Sequence, residues 1–271
     1  MPVTAASLAK KSGIKQFVFF STMAVYNGGK TLEGNIVDCK TECIPETFYG
    51  KSKLEAELAL HELESDDFKI AYIRPANVYG KNCRGAYIST FAKIVKLLPI
   101  IPDAYQDVKQ GMLYIDNLSE LVRLIVEKNG SGIFPAQDNP PVSSVEIMEA
   151  MSNALNLNKK KSKLLGVPFK LFKIGIVNKL YGGISYAKEY SETELGSYNI
   201  VSFEESMKKT LSWVIGENMN SEVLFSIIMP VYNVENYLEQ SINSILSQSI
   251  KDYESCIEIA DLGTISLYYF N

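Results

Sequence analysis

Residues 49–53, Tyr-Gly-Lys-Ser-Lys, are the part of this sequence most suited to chemistry. A phenol and an ammonium four residues apart lie on one face of a helix, one turn from each other. A nearby cation favours the phenolate, so a tyrosine in this position can act as an acid or base near neutral pH. The spacing predicts proton transfer by Tyr49, with Lys53 as its electrostatic partner.

The Tyr-x-x-x-Lys spacing occurs three times, and the neighbouring residues decide between the copies. The copy at Tyr26 leads into the turn-forming sequence Asn-Gly-Gly, and the copy at Tyr105 follows Pro-Asp in a polar loop. Tyr49 alone opens a helix-prone run, residues 51–64, which is rich in leucine, glutamate and alanine. We therefore select Tyr49 as the candidate acid or base.

Two predicted strands flank this helix in the sequence. The apolar run 16–20 is typical of a buried parallel strand and is followed directly by Ser21 and Thr22. Residues 69–74 form the next predicted strand, followed by a rigid loop at 75–80. Ligands of open α/β sheets bind at the carboxyl ends of the strands, so both hydroxyls are expected at a binding edge.

Four motifs in a fixed order connect the sequence with a known family. They resemble motifs of the extended short-chain dehydrogenase/reductase family, the NAD-dependent sugar-nucleotide epimerases and dehydratases. The resemblance covers residues 1–214 and implies an α/β fold with a Rossmann-like, doubly wound parallel sheet. The motifs are Phe-Phe-Ser-Thr-Met-Ala-Val-Tyr at 19–26, Tyr-Gly-Lys-Ser-Lys at 49–53, Arg-Pro-Ala-Asn-Val-Tyr-Gly at 74–80 and Met-Leu-Tyr-Ile-Asp-Asn-Leu at 112–118.

The resemblance assigns catalytic roles to Tyr49, Lys53 and Thr22, and it assigns cofactor binding to Ser21 as well as to Tyr49 and Lys53. Tyr49 would exchange a proton with a sugar hydroxyl while hydride moves between that carbon and the nicotinamide of NAD or NADP. Lys53 would bind the nicotinamide ribose and lower the pKa of Tyr49. Thr22 would hydrogen-bond the reacting oxygen, with Ser21 in support. The alternative for Thr22 is a hydroxyl that caps a turn at the strand end.

Further positions would bind cofactor and substrate. By resemblance, Pro75 and Val78 would line the nicotinamide face, and Asn77 would reach the diphosphate of a nucleotide sugar; a simple turn residue is the alternative for Asn77. The family commonly has an arginine just before the last motif to pair with the phosphates. Gln110 stands there in this sequence, so phosphate binding is expected to be weaker unless the neighbouring Lys109 substitutes.

The residues after Thr22 bear on the type of reaction. The dehydratase branch of the family has Asp-Glu there to eliminate water, whereas this sequence has Met23 and Ala24. Elimination is therefore disfavoured, and 4-epimerisation or 4-keto reduction of a nucleotide sugar is expected. The resemblance also allows a homodimer of the full-length parent protein.

The sequence begins with a predicted amphipathic helix that ends at about Ser12, before Gly13. No strand precedes this helix and the sequence has no Gly-x-x-Gly-x-x-Gly loop, although the family has both ahead of these motifs. We therefore expect a partial sheet without its first four strands, with residues 1–214 as the carboxyl-terminal part of an epimerase/dehydratase domain. Since the glycine loop holds the pyrophosphate, binding of NAD or NADP is expected to be impaired in such a fragment.

After a polar linker at 215–224 the sequence changes in character. Residues 225–233 and the amphipathic helix that follows, through Ser247, resemble the first strand, loop and helix of family 2 glycosyltransferases. Residues 225–271 would then be the truncated start of such a domain, an isolated βα unit. The second-strand acidic pair and the Asp-x-Asp of that family are missing from the sequence, so no metal site is predicted.

Three functional hypotheses follow. The first is a sugar-nucleotide epimerase or ketoreductase of surface polysaccharide biosynthesis, present as a fragment. The second is a glycosyltransferase fragment, and the third is a non-enzymatic remnant or interaction module. An in-frame glycine loop upstream in the gene would support the first hypothesis.

Composition narrows the choice of partner and compartment. The net charge of −4 argues against a nucleic-acid partner, and a single histidine with four cysteines lacking a CxxC pair leaves little material for zinc. With no signal peptide and no uninterrupted apolar span, a cytoplasmic protein without an integral membrane segment is expected. The segment most similar to a membrane helix, residues 164–180, contains three lysines. A helix that packs on the core or covers the substrate pocket is therefore preferred over one that lies on a membrane surface.

The missing strands have a consequence for the sheet. Strand 16–20 would lose its neighbour, so we expect it to be paired on one side and to lie at an edge, with aggregation or partial unfolding as the result. Residues 225–229 offer an apolar replacement strand as the alternative.

Overall fold

A computed structural model describes residues 2–26, 29–81, 86–171 and 175–216, together with three strands at 225–231, 253–261 and 264–270. The chain divides into two compact units, Met1–Trp213 and Val214–Asn271. In the described part of the chain, no helix combines the length and apolar character that a membrane span requires. The described side chains also contain no cluster of three His, Cys, Asp or Glu residues suited to a metal ion.

Helices and short strands alternate through the first unit. Its strands are β1 (Gln16–Phe20), β2 (Asn35–Val37), β3 (Lys69–Pro75), β4 (Asn77–Tyr79), β5 (Ile101–Pro102), β6 (Lys109–Gln110), β7 (Met112–Tyr114), β8 (Gly132–Ala136), β9 (Val142–Ser143), β10 (Lys161–Ser162) and β11 (Ile184–Tyr186). The helices are α1 (Pro2–Lys11), α2 (Phe48–His61), α3 (Ala86–Leu97), α4 (Ile115–Glu127), α5 (Ser144–Ala154), α6 (Lys163–Leu171), α7 (Gly175–Tyr181), α8 (Lys188–Ser191) and α9 (Phe203–Gly216), with a 3-10 turn at Met23–Val25.

Three parallel strands in the order β1-β3-β8 form the central sheet of the described residues. The middle strand is buried on both faces: Ile70 and Tyr72 join one hydrophobic cluster, and Ala71 and Ile73 join another. This alternation follows from the two-residue period of a strand. The predicted α/β class with a parallel sheet is confirmed, as are the strands predicted at 16–20 and 69–74.

Strand β1 lies at an edge of this sheet. Within the described residues it pairs with β3 on one side and with no strand on the other, as the sequence predicted. Phe20 at its end is 45% exposed. Residues 225–229, the alternative replacement strand, belong to β12 (Phe225–Val231), which pairs with β13 (Tyr253–Asp261) in the second unit.

The local sequence accounts for the start of α5. Ser143 and Glu146, spaced as Ser-x-x-Glu, form a capping box, and the helix begins at Ser144. The single helix expected over 164–180 is instead two helices, α6 and α7; residues 172–174 between them lie outside the described residues. In the second unit, β14 (Thr264–Phe270) pairs antiparallel with β13. The helix predicted after β12 falls outside the described residues.

A buried carboxyl group joins the end of β8 to β7 and α4. Asp138 is 7% exposed and accepts hydrogen bonds from Asn117 Nδ2 at 2.7 Å, from the Tyr114 N–H at 2.9 Å and from the Tyr79 hydroxyl at 3.3 Å. Burial raises the pKa of Asp138 from 3.8 to about 6, although these three donors act in the opposite direction. The carboxyl group therefore titrates within the fold well above its ordinary range.

This pKa predicts a specific pH dependence of stability. Between pH 3.8 and about 6 the folded protein keeps the Asp138 proton that the unfolded chain has lost, so the unfolding free energy falls as the pH rises through this window. Relative to Asp138→Asn, the wild-type protein should lose on the order of 2 kcal/mol between pH 4 and pH 7 in urea titrations. Asp67→Asn, at an exposed aspartate, serves as the control. Parallel pH profiles for wild type and Asp138→Asn would contradict the assignment.

Candidate active site

Helix α2 begins against the 3-10 turn that follows β1. Thr47 caps the helix, its Oγ1 accepting a hydrogen bond from the Gly50 N–H at 3.0 Å. A Cβ on Gly50 would lie 2.2 Å from the Ala24 carbonyl oxygen and 2.8 Å from Pro45 Cβ, closer than atoms can approach. Glycine is therefore required for the first turn of α2 to reach the turn after Thr22.

Tyr49 and Lys53 lie one turn apart on α2, as the spacing predicted. The Lys53 ammonium is 5.9 Å from the centroid of the Tyr49 ring and 5.0 Å from that of Phe19. It donates a hydrogen bond to the Phe20 carbonyl oxygen at 2.8 Å, which ties the helix to the carboxyl end of β1. The Tyr49 side chain is 57% exposed and so accessible to a ligand.

The two hydroxyls after β1 have different surroundings. The Ser21 N–H donates to the Ile73 carbonyl oxygen at 2.8 Å, while the buried Ser21 Oγ has no hydrogen-bond partner among the described residues. Thr22 Oγ1 accepts from the Ala24 N–H at 3.2 Å and caps the 3-10 turn, the alternative role that the sequence left open. A hydroxyl that accepts in this way keeps its own proton for a ligand oxygen.

A cavity of about 200 Å³ opens beside these groups. Thr22, Pro75 and Asn77 are among its lining residues, whereas Ser21, Tyr49, Lys53 and Val78 are not. Asn77 Nδ2 donates to the Gly111 carbonyl oxygen at 3.1 Å, so this amide is fixed in orientation.

Val78, the second predicted nicotinamide contact, is 38% exposed. The structure thus brings three of the predicted site residues into one cavity and places the acid/base pair on the adjoining helix.

Lys109 is placed elsewhere. Its ammonium donates to both carboxylate oxygens of Glu146, at 2.7 and 2.8 Å, and these two residues line a different cavity of about 930 Å³. Although burial opposes ionisation, the Lys109 ammonium and the Ser143 N–H hold the pKa of Glu146 below its ordinary value. The charge of Lys109 is therefore already balanced within the fold.

Sequence reasoning missed Lys30, which lines the same cavity as Thr22 and Asn77. Its ammonium donates to Gln110 Oε1 at 3.0 Å, and burial lowers the pKa of Lys30 to about 8. The signal was present in the sequence, because Lys30 belongs to the Tyr-x-x-x-Lys copy that begins at Tyr26. The turn-forming residues that follow Tyr26 disfavour that copy as a helical pair.

Tyr26 itself is not suited to proton transfer near neutral pH. Its hydroxyl contacts Arg74 Nη1 at 2.7 Å and the Tyr190 hydroxyl at 2.9 Å. Burial, followed by the hydrogen bond to Tyr190, raises the pKa of Tyr26 well above its ordinary value. Tyr26 is therefore unsuited to the acid or base role that the sequence assigned to Tyr49.

A buried ion pair fixes the orientation of α2. Arg74 Nε donates to Glu57 Oε1 at 3.1 Å and a second bond joins Nη2 to Oε2, with both side chains at most 7% exposed. Arg74 lies on β3 and Glu57 on α2, and the same guanidinium bonds Tyr26. The arginine therefore has a structural role at the end of the sheet.

Comparison with known proteins identifies a matching family and a relative in sequence. Residues 1–132 match the NAD dependent epimerase/dehydratase family. A UDP-glucose 4-epimerase from Vibrio cholerae is 30% identical over 219 residues, which cover 77% of this chain and 66% of that relative. This chain therefore spans just under two thirds of the relative's length.

Solved structures with a similar fold include UDP-N-acetylglucosamine 4-epimerase from Bacillus cereus, with a TM-score of 0.57 and 16% identity over 79% of this chain and 68% of that one. The Bordetella bronchiseptica enzyme WbmG in complex with NAD has a TM-score of 0.57 and 20% identity over 78% of this chain and 63% of that one. At these identities the likeness shows a shared fold.

The buried ion pair predicts a large effect of a single substitution. Glu57→Gln leaves the Arg74 charge buried without its partner and should lower the unfolding free energy by about 3–5 kcal/mol. Chemical denaturation measures this change. Glu120→Gln, at an ion pair with the half-exposed Arg123, is the matched control and should have a much smaller effect. Equal effects of the two variants would show that the buried pair does not stabilise the contact between α2 and β3.

Proposed function

Because this chain belongs to the NAD dependent epimerase/dehydratase family, we propose that its first unit carries the catalytic and substrate-binding part of a sugar-nucleotide 4-epimerase. The observation that supports this most strongly is the Tyr49–Lys53 pair on α2, with the Lys53 ammonium bound to the last carbonyl of β1. Thr22 and Asn77 line the adjoining cavity, where a sugar and its phosphates would be held.

The chain's own residues fit the nicotinamide end of the cofactor. Ser21 Oγ is a buried polar atom without a partner in the described structure, at the sheet edge where such ligands bind. Lys53 uses one N–H on the Phe20 carbonyl oxygen and retains two further N–H groups for ribose hydroxyls. Pro75 and Val78 would form an apolar contact beside them. A bound NAD would supply the acceptor and donor of hydride at the reacting carbon.

Proton transfer would then rest on three side chains. Tyr49, as phenolate, would take the proton of the sugar hydroxyl, and the nearby Lys53 ammonium would stabilise the negative oxygen. The Thr22 hydroxyl, already oriented by the Ala24 N–H, would donate to the same sugar oxygen. Inversion would require the keto sugar to present its opposite face before hydride returns to that carbon, and Tyr49 would then give its proton back to the sugar oxygen.

Reduction of a 4-keto sugar is the second candidate. It would use the same three side chains but consume a reduced cofactor instead of regenerating it. Met23 and Ala24 follow Thr22 where the dehydratases resembled by this sequence have two acids, which disfavours elimination and is compatible with both candidates.

For the second unit, the resemblance of residues 225–233 to family 2 glycosyltransferases supports a pathway proposal, with residues 232 and 233 outside the described structure. Nucleotide-sugar conversion would supply glycosyl transfer in the synthesis of a surface polysaccharide. Deleting the gene should then remove or alter that polysaccharide. An unchanged cell surface would count against the proposal.

The role of Tyr49 predicts a large loss of rate on removal of one oxygen atom. With millimolar NAD and UDP-galactose, formation of UDP-glucose by Tyr49→Phe should be slower than by wild type by about 10²- to 10⁴-fold. Tyr105→Phe removes a hydroxyl from another Tyr-x-x-x-Lys copy and should retain a rate close to that of wild type. Wild-type-like turnover in Tyr49→Phe would reject the acid/base assignment.

Cofactor affinity gives a separate prediction. The 271 residues contain no Gly-x-x-Gly-x-x-Gly loop, the usual site for the dinucleotide pyrophosphate. Calorimetry should therefore show that NAD binds this chain no more than a few-fold more tightly than nicotinamide mononucleotide does. Both ligands contain the nicotinamide ribose, which is the part that this chain would contact. A micromolar dissociation constant for NAD, with much weaker mononucleotide binding, would contradict this.

A further inference from the structure

We propose that helix α6 and the lysine-rich residues 159–163 that lead into it form a docking surface for an anionic lipid bilayer. The helix would lie in the plane of the membrane surface, with its leucines at the acyl chains and its lysines at the lipid phosphates. This inference goes beyond the proposed function, because lipid binding requires neither a cofactor nor turnover.

Helix α6 packs on the first unit along one side. A Cβ on Gly166 would lie 2.1 Å from the carbonyl oxygen of Asp103, so this side of the helix is pressed against the protein. At about 100° per residue, Leu164, Pro168 and Leu171 lie on the opposite side. Helix α6 therefore presents an apolar stripe to solvent and its glycine to the body of the unit.

The outward side of α6 carries exposed leucines. Leu164 is 80% exposed and Leu171 is 71% exposed, and Val167 between them is a further exposed apolar residue. Apolar side chains that gather on one side of a helix and remain open to water are typical of a surface that binds another apolar phase. The packing of α6 thus leaves an apolar surface open.

The end of α3 extends this surface. The Lys159 ammonium donates to the carbonyl oxygens of Val95 at 2.6 Å and Lys96 at 3.0 Å, and strand β10 pairs with β5. These contacts hold residues 159–163 close to the end of α3, where Leu97 is 83% exposed. The lysine-rich segment therefore has an exposed leucine on its α3 side as well as those of α6.

The charge around this surface has one sign. Residues 150–188 contain eight lysines and no Asp or Glu, in a chain whose net charge is −4. Lys160, Lys163 and Lys170 are exposed and form no ion pair with any residue that the structure describes. Lysines that border an apolar surface can keep their alkyl stems near acyl chains while their ammonium groups reach lipid phosphates.

The distribution of charge favours a lipid surface over a second copy of this chain. Docking two copies through α6 would bring their lysines together, and like charges repel. Glu149, just before the lysine-rich stretch, pairs with Lys161 at 3.0 Å and neutralises one positive charge only. A bilayer with anionic lipids provides negative phosphates at its surface and an apolar phase beneath them, which matches the lysines and the leucines in turn.

Flotation of the full chain with lipid vesicles tests the proposal. With vesicles of about 30 mol% phosphatidylglycerol in phosphatidylcholine, the partition coefficient should be at least about 10-fold larger than with phosphatidylcholine alone, because each lysine near an anionic surface adds to the attraction. Raising NaCl from about 0.05 M to about 0.5 M should reduce binding to the anionic vesicles, since salt screens this attraction.

Removing the leucines separates apolar insertion from charge attraction. Leu164→Gln combined with Leu171→Gln should lower the partition coefficient on anionic vesicles by about 10- to 100-fold, because two apolar side chains no longer leave water. Ile36→Gln combined with Leu58→Gln removes two exposed apolar side chains from β2 and α2 and should bind as the wild type does. Since all four positions are exposed, the urea midpoints of both variants should match that of wild type.

Removing lysines tests the charge independently and replaces the leucine test if that variant fails to fold. Lys163→Gln combined with Lys170→Gln should weaken binding to anionic vesicles by about 10-fold and make it less sensitive to salt. Lys11→Gln combined with Lys208→Gln makes the same change in net charge at exposed positions of α1 and α9, and it should retain wild-type binding.

Each outcome decides for or against the lipid-docking surface. No flotation of wild type with anionic vesicles, equal flotation with phosphatidylcholine alone, or wild-type binding by the leucine and lysine variants would overturn it. A wild-type dimer in sedimentation that the leucine variant loses, without vesicle binding, would assign the surface to a second copy instead. Tyr49→Phe should float as the wild type does, so failure of the epimerase proposal would leave this result unchanged.

Discussion

The buried ion pair of Arg74 and Glu57 holds together the elements that carry the candidate site. Arg74 stands near the end of β3, Glu57 on the inner face of α2, and Tyr26 just after the turn that follows β1; one guanidinium contacts both partners. Because a charge at most 7% exposed is costly without its partner, the three segments are held in one arrangement. The position of Tyr49 relative to the strand ends depends on this constraint.

Close packing and a hydrogen bond also attach helix α2 to the end of β1. Gly50 lets the first turn of α2 lie against the Ala24 carbonyl group, and Lys53 bonds the Phe20 carbonyl oxygen one turn later. The helix is thus attached at its start by contact and along its length by a hydrogen bond and an ion pair. The exposed phenol of Tyr49 is therefore positioned by the attached helix and not by its own burial.

The three lysines of the Tyr-x-x-x-Lys copies have different hydrogen-bond partners in the fold. Lys53 bonds a backbone carbonyl, Lys109 a carboxylate and Lys30 a neutral amide. Each follows a tyrosine by four residues, so the sequence pattern is the same in all three cases. The spacing in the sequence therefore does not determine which group each ammonium contacts in the fold.

The sequence by itself determined those features that depend on residues close together in the chain. The strands at 16–20 and 69–74 follow from short apolar runs, the capping box at Ser143 from the Ser-x-x-Glu spacing, and the pairing of Tyr49 with Lys53 from the four-residue spacing of a helical turn. The tertiary structure alone decided the pairing of Arg74 with Glu57 and the placement of Lys30, not Lys109, in the lining of the cavity beside Thr22. The contact between Lys30 and Gln110 spans 80 residues, and no local pattern encodes a partner at that distance, because it depends on how the packed elements bring the two side chains together.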